Sequence, residues 1–184
     1  MKKVDMTNVQ EAGEGKRLPA GKYIAIIRDV KDFPDKEYLK VIYDIAEGEF
    51  KGYYDDTRKR FPDSQWIGAY VKSYKQTALP MFKRFCSAVS KSNGQFIFDG
   101  NTVNADERTL IGKRLGIVLG EEEYYSNSGD LRTRLYVHSE CPVDMLEGKK
   151  VPDCKRVKDD KTMAKPADDS FMTLEEGTAD EVPF

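Results

Sequence analysis

Residues 38–45 alternate strictly in character. Leu39, Val41, Tyr43 and Ile45 share one face, and Tyr38, Lys40, Ile42 and Asp44 share the other. Successive side chains leave a pleated strand on opposite sides, so this period of two demands a strand with one buried face. The pattern returns over residues 131–137, where Leu131, Thr133, Leu135 and Val137 point inward and Arg132, Arg134 and Tyr136 point outward together. Residues 23–30 are β-branched and aromatic, with Ile24, Ile26 and Val30 assigned to one face. Leu115, Ile117 and Leu119 alternate along a further strand. A chain with these segments must build a sheet and cover one side of it.

The links between strands are short. Asp32-Phe33-Pro34-Asp35 is a turn, and Ser126-Asn127-Ser128-Gly129-Asp130 is a hairpin connection. Gly48 and Gly52 bracket a third link, after which Tyr53-Tyr54-Asp55 is expected to open the third strand of a meander. Phe96-Ile97-Phe98 is expected to form a brief strand. Gly112, Gly116 and Gly120 recur every four residues and mark bends or close backbone approach.

One segment changes period. Over residues 77–91, Leu79, Phe82, Phe85 or Cys86, and Val89 repeat at helical spacing. Thr77 is the expected N-cap, Pro80 fits only a first turn, and Gly94 after Asn93 ends the helix. Trp66, Tyr70 and Tyr74 also recur at a spacing of four, which on a helix makes one aromatic stripe. Such a stripe serves equally as core or as an exposed platform.

Length and charge limit the organisation. The chain has 184 residues, enough for one domain with flanking segments. It divides into an arm over residues 1–17, a domain over 18–140, a basic linker over 141–167 and an acidic tail over 168–184. The net charge is −2, but the tail alone carries −6, leaving +4 over residues 1–167. Within residues 149–165, seven basic residues stand against three acids. A basic body with an acidic tail suits a polyanion binder that also tethers something basic.

The sparse, odd set of Cys86, Cys141 and Cys154 does not suggest a disulfide scaffold. The start Met1-Lys2-Lys3-Val4-Asp5 lacks a signal-type apolar run, and no stretch approaches a membrane span. The expectation is a cytoplasmic protein in a reducing compartment, with no membrane partner. Its oligomeric state stays open.

No phosphate-binding glycine loop is present. His138, the only histidine, has no C-x2-C partner set for zinc and no nucleophile pattern for catalysis. Glu121-Glu122-Glu123 and Asp55-Asp56 leave a metal-dependent nuclease as a minor alternative. The expectation is a binding protein, with no catalytic residue and no cofactor.

Basic and aromatic residues interleave: Tyr53 and Tyr54 with Arg58, Lys59, Arg60 and Phe61; Trp66 nearby; Tyr70 with Lys72; Tyr74 with Lys75; and Arg132, Arg134 and Tyr136 on one strand face. Single-stranded nucleic acid offers phosphates to the cations and base faces to the rings, at roughly 1–3 kcal/mol per stacked base. For Tyr53, Tyr54 and Trp66 the core is an equal alternative. For the outer face of residues 131–137 the alternative is an ordinary solvated surface.

Three resemblances follow. Three strands, a helix, then two or more strands resembles the oligonucleotide-binding barrel, a five-stranded antiparallel Greek-key fold with its helix between strands three and four, with another small α+β sandwich of the same order as the runner-up. This sets the fold class as all-β to α+β. Leu18-Pro19-Ala20-Gly21-Lys22-Tyr23, and Ile111-Gly112-Lys113-Arg114-Leu115-Gly116-Ile117-Val118 with Glu121-Glu122-Glu123-Tyr124, resemble an uncharacterised family encoded by phages beside replication genes. That likeness would span residues 18–140 and implies phage or prophage DNA metabolism.

Finally, Asp180-Glu181-Val182-Pro183-Phe184 resembles the acidic Pro-Phe tip of bacterial single-stranded-DNA-binding proteins. In that family the tip recruits replication and repair enzymes, which implies the same role for these five residues. The whole therefore suggests a single-stranded-DNA-binding protein of replication or recombination with a recruiting tip. The alternative is an interaction protein that mimics the tip to intercept repair enzymes without binding DNA.

Overall fold

The computed structural model describes residues 3, 5, 17–64, 67–99 and 106–157. Seven regular elements follow in order: β1 (Gly21–Phe33), β2 (Tyr38–Ile45), α1 (Tyr53–Arg60), β3 (Ala69–Ser73), α2 (Leu79–Ser92), β4 (Arg114–Tyr125) and β5 (Leu131–Cys141). The strands form one sheet in the order β3-β2-β1-β4-β5, with every neighbouring pair antiparallel. This is the strand order of an oligonucleotide-binding barrel, with α2 between the third and fourth strands and an added helix, α1, between the second and third.

β1 organises the curl of the sheet. Its first half, Gly21 to Ile26, pairs with β4, while its length from Ala25 to Phe33 pairs with β2. The register slips between Ile27 and Asp29, so Arg28 is a bulge. A bulge bends and twists its strand, which lets one strand serve two partners around a curved sheet. It also reverses which residues face inward. Ala25, Ile27 and Val30 are buried, whereas Ile24 and Ile26 lie on the opposite face, contrary to the assignment of Ile24, Ile26 and Val30 to one side.

The inner face is the core. Val41, Ile45, Leu115, Ile117 and Leu119 are sealed from solvent, and Leu135 and Val137 pack on them from β5. Helix α2 lays Phe82, Phe85, Cys86 and Val89 against this face. Pro80 sits in its first turn, and Asn93 and Gly94 end it, Gly94 at φ +64°. Thr77 is not its cap; the helix starts one turn of 3-10 geometry later, behind Ala78.

Two segments fold otherwise than the alternation suggests. Tyr53-Tyr54-Asp55 opens helix α1 rather than a strand. Gly52, at φ +81°, turns the chain into it. Asp55 and Asp56 in the first turn and Arg58, Lys59 and Arg60 in the last match the helix dipole, and Asp55–Arg58 and Asp56–Lys59 pair one turn apart. The third strand is instead Ala69–Ser73, so Tyr70 is a strand residue and the stripe through Tyr74 is not helical. Phe96, Ile97 and Phe98 form no strand.

β3 and β5 end the sheet, and no ladder joins them. A buried ion pair bridges them from inside: Lys72 of β3 meets Glu140 of β5, with the Tyr70 hydroxyl buried beside the same carboxylate. Burial, and then that carboxylate, push the Tyr70 ionisation well above its ordinary range.

Beyond β5 the chain folds back over β4. Leu146 is buried against Val118 and Cys141, and Lys155 exchanges main-chain hydrogen bonds with Glu121 and Glu123. Residues up to Val157 in the basic segment are therefore packed chain. Gly116 and Gly120 permit this approach: a Cβ on Gly120 would lie 2.8 Å from Pro152 and 2.9 Å from the Tyr136 ring. No described helix is long and apolar enough to cross a membrane.

Candidate nucleic-acid interface

The outer face of β1-β2-β3 follows from register. Phe33, Tyr38 and Ser73 lie side by side, as do Lys31, Lys40 and Val71, and then Asp29, Ile42 and Ala69. None of these nine residues is buried. At the turn end, the Phe33 and Tyr38 rings stack, centroids 4.8 Å apart and planes 26° from parallel. One step along, the register puts the two lysines Lys31 and Lys40 next to each other. Farther along stands Arg28, 44% exposed on its bulge. The acids here are Asp29, whose carboxylate accepts from the Val30 N–H, and Asp35 and Glu37 in the turn itself.

At the far end of this face, a charged cluster anchors α1. Asp44 is fully buried, and its Oδ1 accepts the N–H groups of Ile45 and Tyr54, each at 2.8 Å. The second bond ties β2 to the start of α1. Arg28 reaches Asp55 at 2.8 Å and Asp44 at 3.8 Å, and Arg58 pairs with Asp55. Burial raises the Asp44 carboxyl, and the neighbouring Asp55 carboxylate adds to the rise, against the two N–H groups. Burial also opposes ionisation of Asp55, but the adjoining Asp44 carboxyl, the hydrogen bond from Arg58 and the charge of Arg28 hold it below its usual value.

The residues singled out from sequence fall into three groups. Tyr54, Tyr70 and Lys72 are committed inward: Tyr54 to the aromatic cluster with Tyr43 and Tyr53, and the other two to the β3–β5 seam. Burial drives the Tyr54 phenol up to about 12. Arg58 donates to the Tyr43 and Ile67 carbonyls as well as to Asp55, so its guanidinium braces α1. Tyr74 donates to Asp32 and packs edge-on against Phe82.

A second group is exposed: Lys59, Arg60 and Phe61 at the end of α1, Lys75 after β3, and Arg132 and Arg134 on β5. Arg134 pairs with Glu122 at 2.7 Å, its direct cross-strand neighbour, and lies over the Tyr124 ring. Arg132 pairs with Asp130. Tyr136 shares their strand face, but Lys155 lies 4.0 Å over its ring and Pro152 crowds the same spot. The third group, Trp66 and the tip Asp180, Glu181, Val182, Pro183 and Phe184, lies outside the described residues.

Two shapes remain. Tyr53 and Arg134 meet across a cleft of about 300 Å³ between α1, β3 and β5. A larger groove of about 1000 Å³ runs along α2, walled by Lys83 and Lys91 on one side and by Asp32, Asp99 and Glu107 elsewhere. Among the described residues, no group of three or more His, Cys, Asp or Glu side chains is placed to hold a metal ion.

The sequence pattern held the missing part of this surface. Tyr38, Lys40 and Ile42 are legible as one face of a strand, whereas Phe33 reads from sequence only as a turn residue. Their joining into a platform depends on the β1–β2 register, which no local pattern encodes. Comparison with protein-family models and with curated proteins finds no match for the chain.

Proposed function

We propose that this chain binds single-stranded DNA without regard to sequence, in the replication or recombination of a phage or prophage, and that its Pro-Phe tip recruits replication or repair enzymes. The observation that carries the reading is the solvated β1-β2-β3 face, where the stacked Phe33–Tyr38 pair adjoins Lys31 and Lys40. Flat rings accept any base, and neighbouring cations accept phosphate, which is the chemistry of sequence-tolerant strand binding. The strand order supports it, because the face over the second and third strands is where oligonucleotide-binding barrels hold their ligands. The described chain ends beside β4, where Lys155 pairs with Glu122.

The test is a fluorescence titration with oligo(dT) at several salt concentrations, on the full chain and on a chain lacking Phe184. Binding should weaken steeply with salt, as counterion release requires. It should survive loss of Phe184, while capture of a replication or repair enzyme is lost. Capture of such an enzyme without oligo(dT) binding would favour a tip mimic instead.

A further inference from the structure

The seam between β3 and β5 is the one place where the described sheet is open on both sides. Lys72 and Glu140 bridge part of it, and the rest opens as the cleft of about 300 Å³. A volume of this order lies at the small end of ligand pockets and has room for one nucleobase. Its walls are of three kinds. Tyr53 on α1 supplies an aromatic wall, half-buried and held edge-on by Phe50 and Tyr54. Leu135 and Val137 supply an apolar floor. Arg17 and Arg134 stand at the mouth, 60% and 61% exposed.

The cleft also offers main-chain polar groups. The Tyr43 N–H donates to the Gly68 carbonyl at 2.7 Å, so Gly68 turns its peptide groups toward β2. Alternation along an antiparallel pair then turns those of Ala69, which also lines the cleft, toward the seam. An aromatic wall, an apolar floor and edge-facing N–H and C=O groups match the faces and edges of a base.

Resting on the single-stranded-DNA reading, we propose that this seam receives one unstacked base of the bound strand, with its phosphate at Arg17 and Arg134. An added peptide strand is the poorer occupant. It would need the edge carbonyls, and Ile67 C=O already accepts from Arg58 at 2.9 Å while Thr133 C=O accepts from Arg17 at 3.3 Å. Both cations at the mouth keep an acidic neighbour, Glu121 for Arg17 and Glu122 for Arg134. The site therefore recognises a tethered base more than a free anion.

The test is photocrosslinking of an oligo(dT) carrying 5-iododeoxyuridine, with the adduct mapped by mass spectrometry, on the wild-type chain and on Thr133→Trp. Thr133 is exposed at the mouth, so the indole blocks the cleft from outside, and circular dichroism checks the fold. The expected result is an adduct on Tyr53 that disappears in Thr133→Trp, with affinity reduced roughly tenfold, as for loss of one stacked base. Adducts confined to Phe33 and Tyr38, with Thr133→Trp binding like wild type, would overturn the seam site and leave the DNA reading standing. Absence of oligo(dT) binding by the wild-type chain would overturn both.

Discussion

Asp44 shows how much one side chain decides here. Its carboxylate has no exposure, yet it receives two main-chain N–H groups and so starts α1 at a fixed place on β2. Because burial raises its folded pKa, Asp44 contributes stability that is present below the ordinary carboxylate value and lost as pH rises through the raised one. Asp55, held low, contributes in the opposite sense: its share is lost as pH falls. Asp44→Asn keeps an acceptor for both N–H groups and removes the buried charge, so it should fall within about 1 kcal/mol of wild type at neutral pH, and its stability should vary less with pH above the acid range. Asp44→Ala strands two donors and should cost about 1–3 kcal/mol for each. Urea melts of both variants across pH check this, and an Asn variant as damaged as the Ala variant would contradict it. None of this was legible in residues 38–45, where Asp44 reads as an ordinary outward polar residue. What buries it is α1, an element misassigned from the same sequence.

At the scale of elements, period-two alternation located β2, β4 and β5, and the 3.6 period located α2. The failures cluster between residues 53 and 74. Eight residues of α1 are too few to show a helical apolar period, and their signals were charge order and the Gly52 turn instead. The five residues of β3 alternate in an unusual way, with Tyr70 and Lys72 on the inner face and Ala69, Val71 and Ser73 outside. A lysine pointing inward defeats a hydrophobic-pattern reading, and its partner Glu140 lies on a strand 68 positions away in sequence. That pair joins the two sheet edges, so single removals should be severe. Lys72→Met or Glu140→Leu alone leaves a buried charge and should cost about 3–5 kcal/mol, while the double variant should recover most of the loss. A double-variant cycle by urea denaturation measures it; strictly additive losses would show that the pair does not bridge the seam.

For the whole molecule, the expected order with a helix between strands three and four matches the fold, although the third strand is Ala69–Ser73 and not the expected Tyr53–Asp55. The proposed surface was less legible. Interleaved cations and rings drew attention to Tyr70, Lys72 and Tyr136, which the fold commits to a seam and to a covered patch. The surface proposed in their place joins residues from both sides of one tight turn. The most direct measurement is oligo(dT) affinity of a Phe33→Ala/Tyr38→Ala variant against wild type at one moderate salt concentration, with melting temperature as the control for folding. Removing the platform should weaken binding by about 1–3 kcal/mol per lost stack while the fold persists. Unchanged affinity in a folded double variant would contradict the assignment of this face.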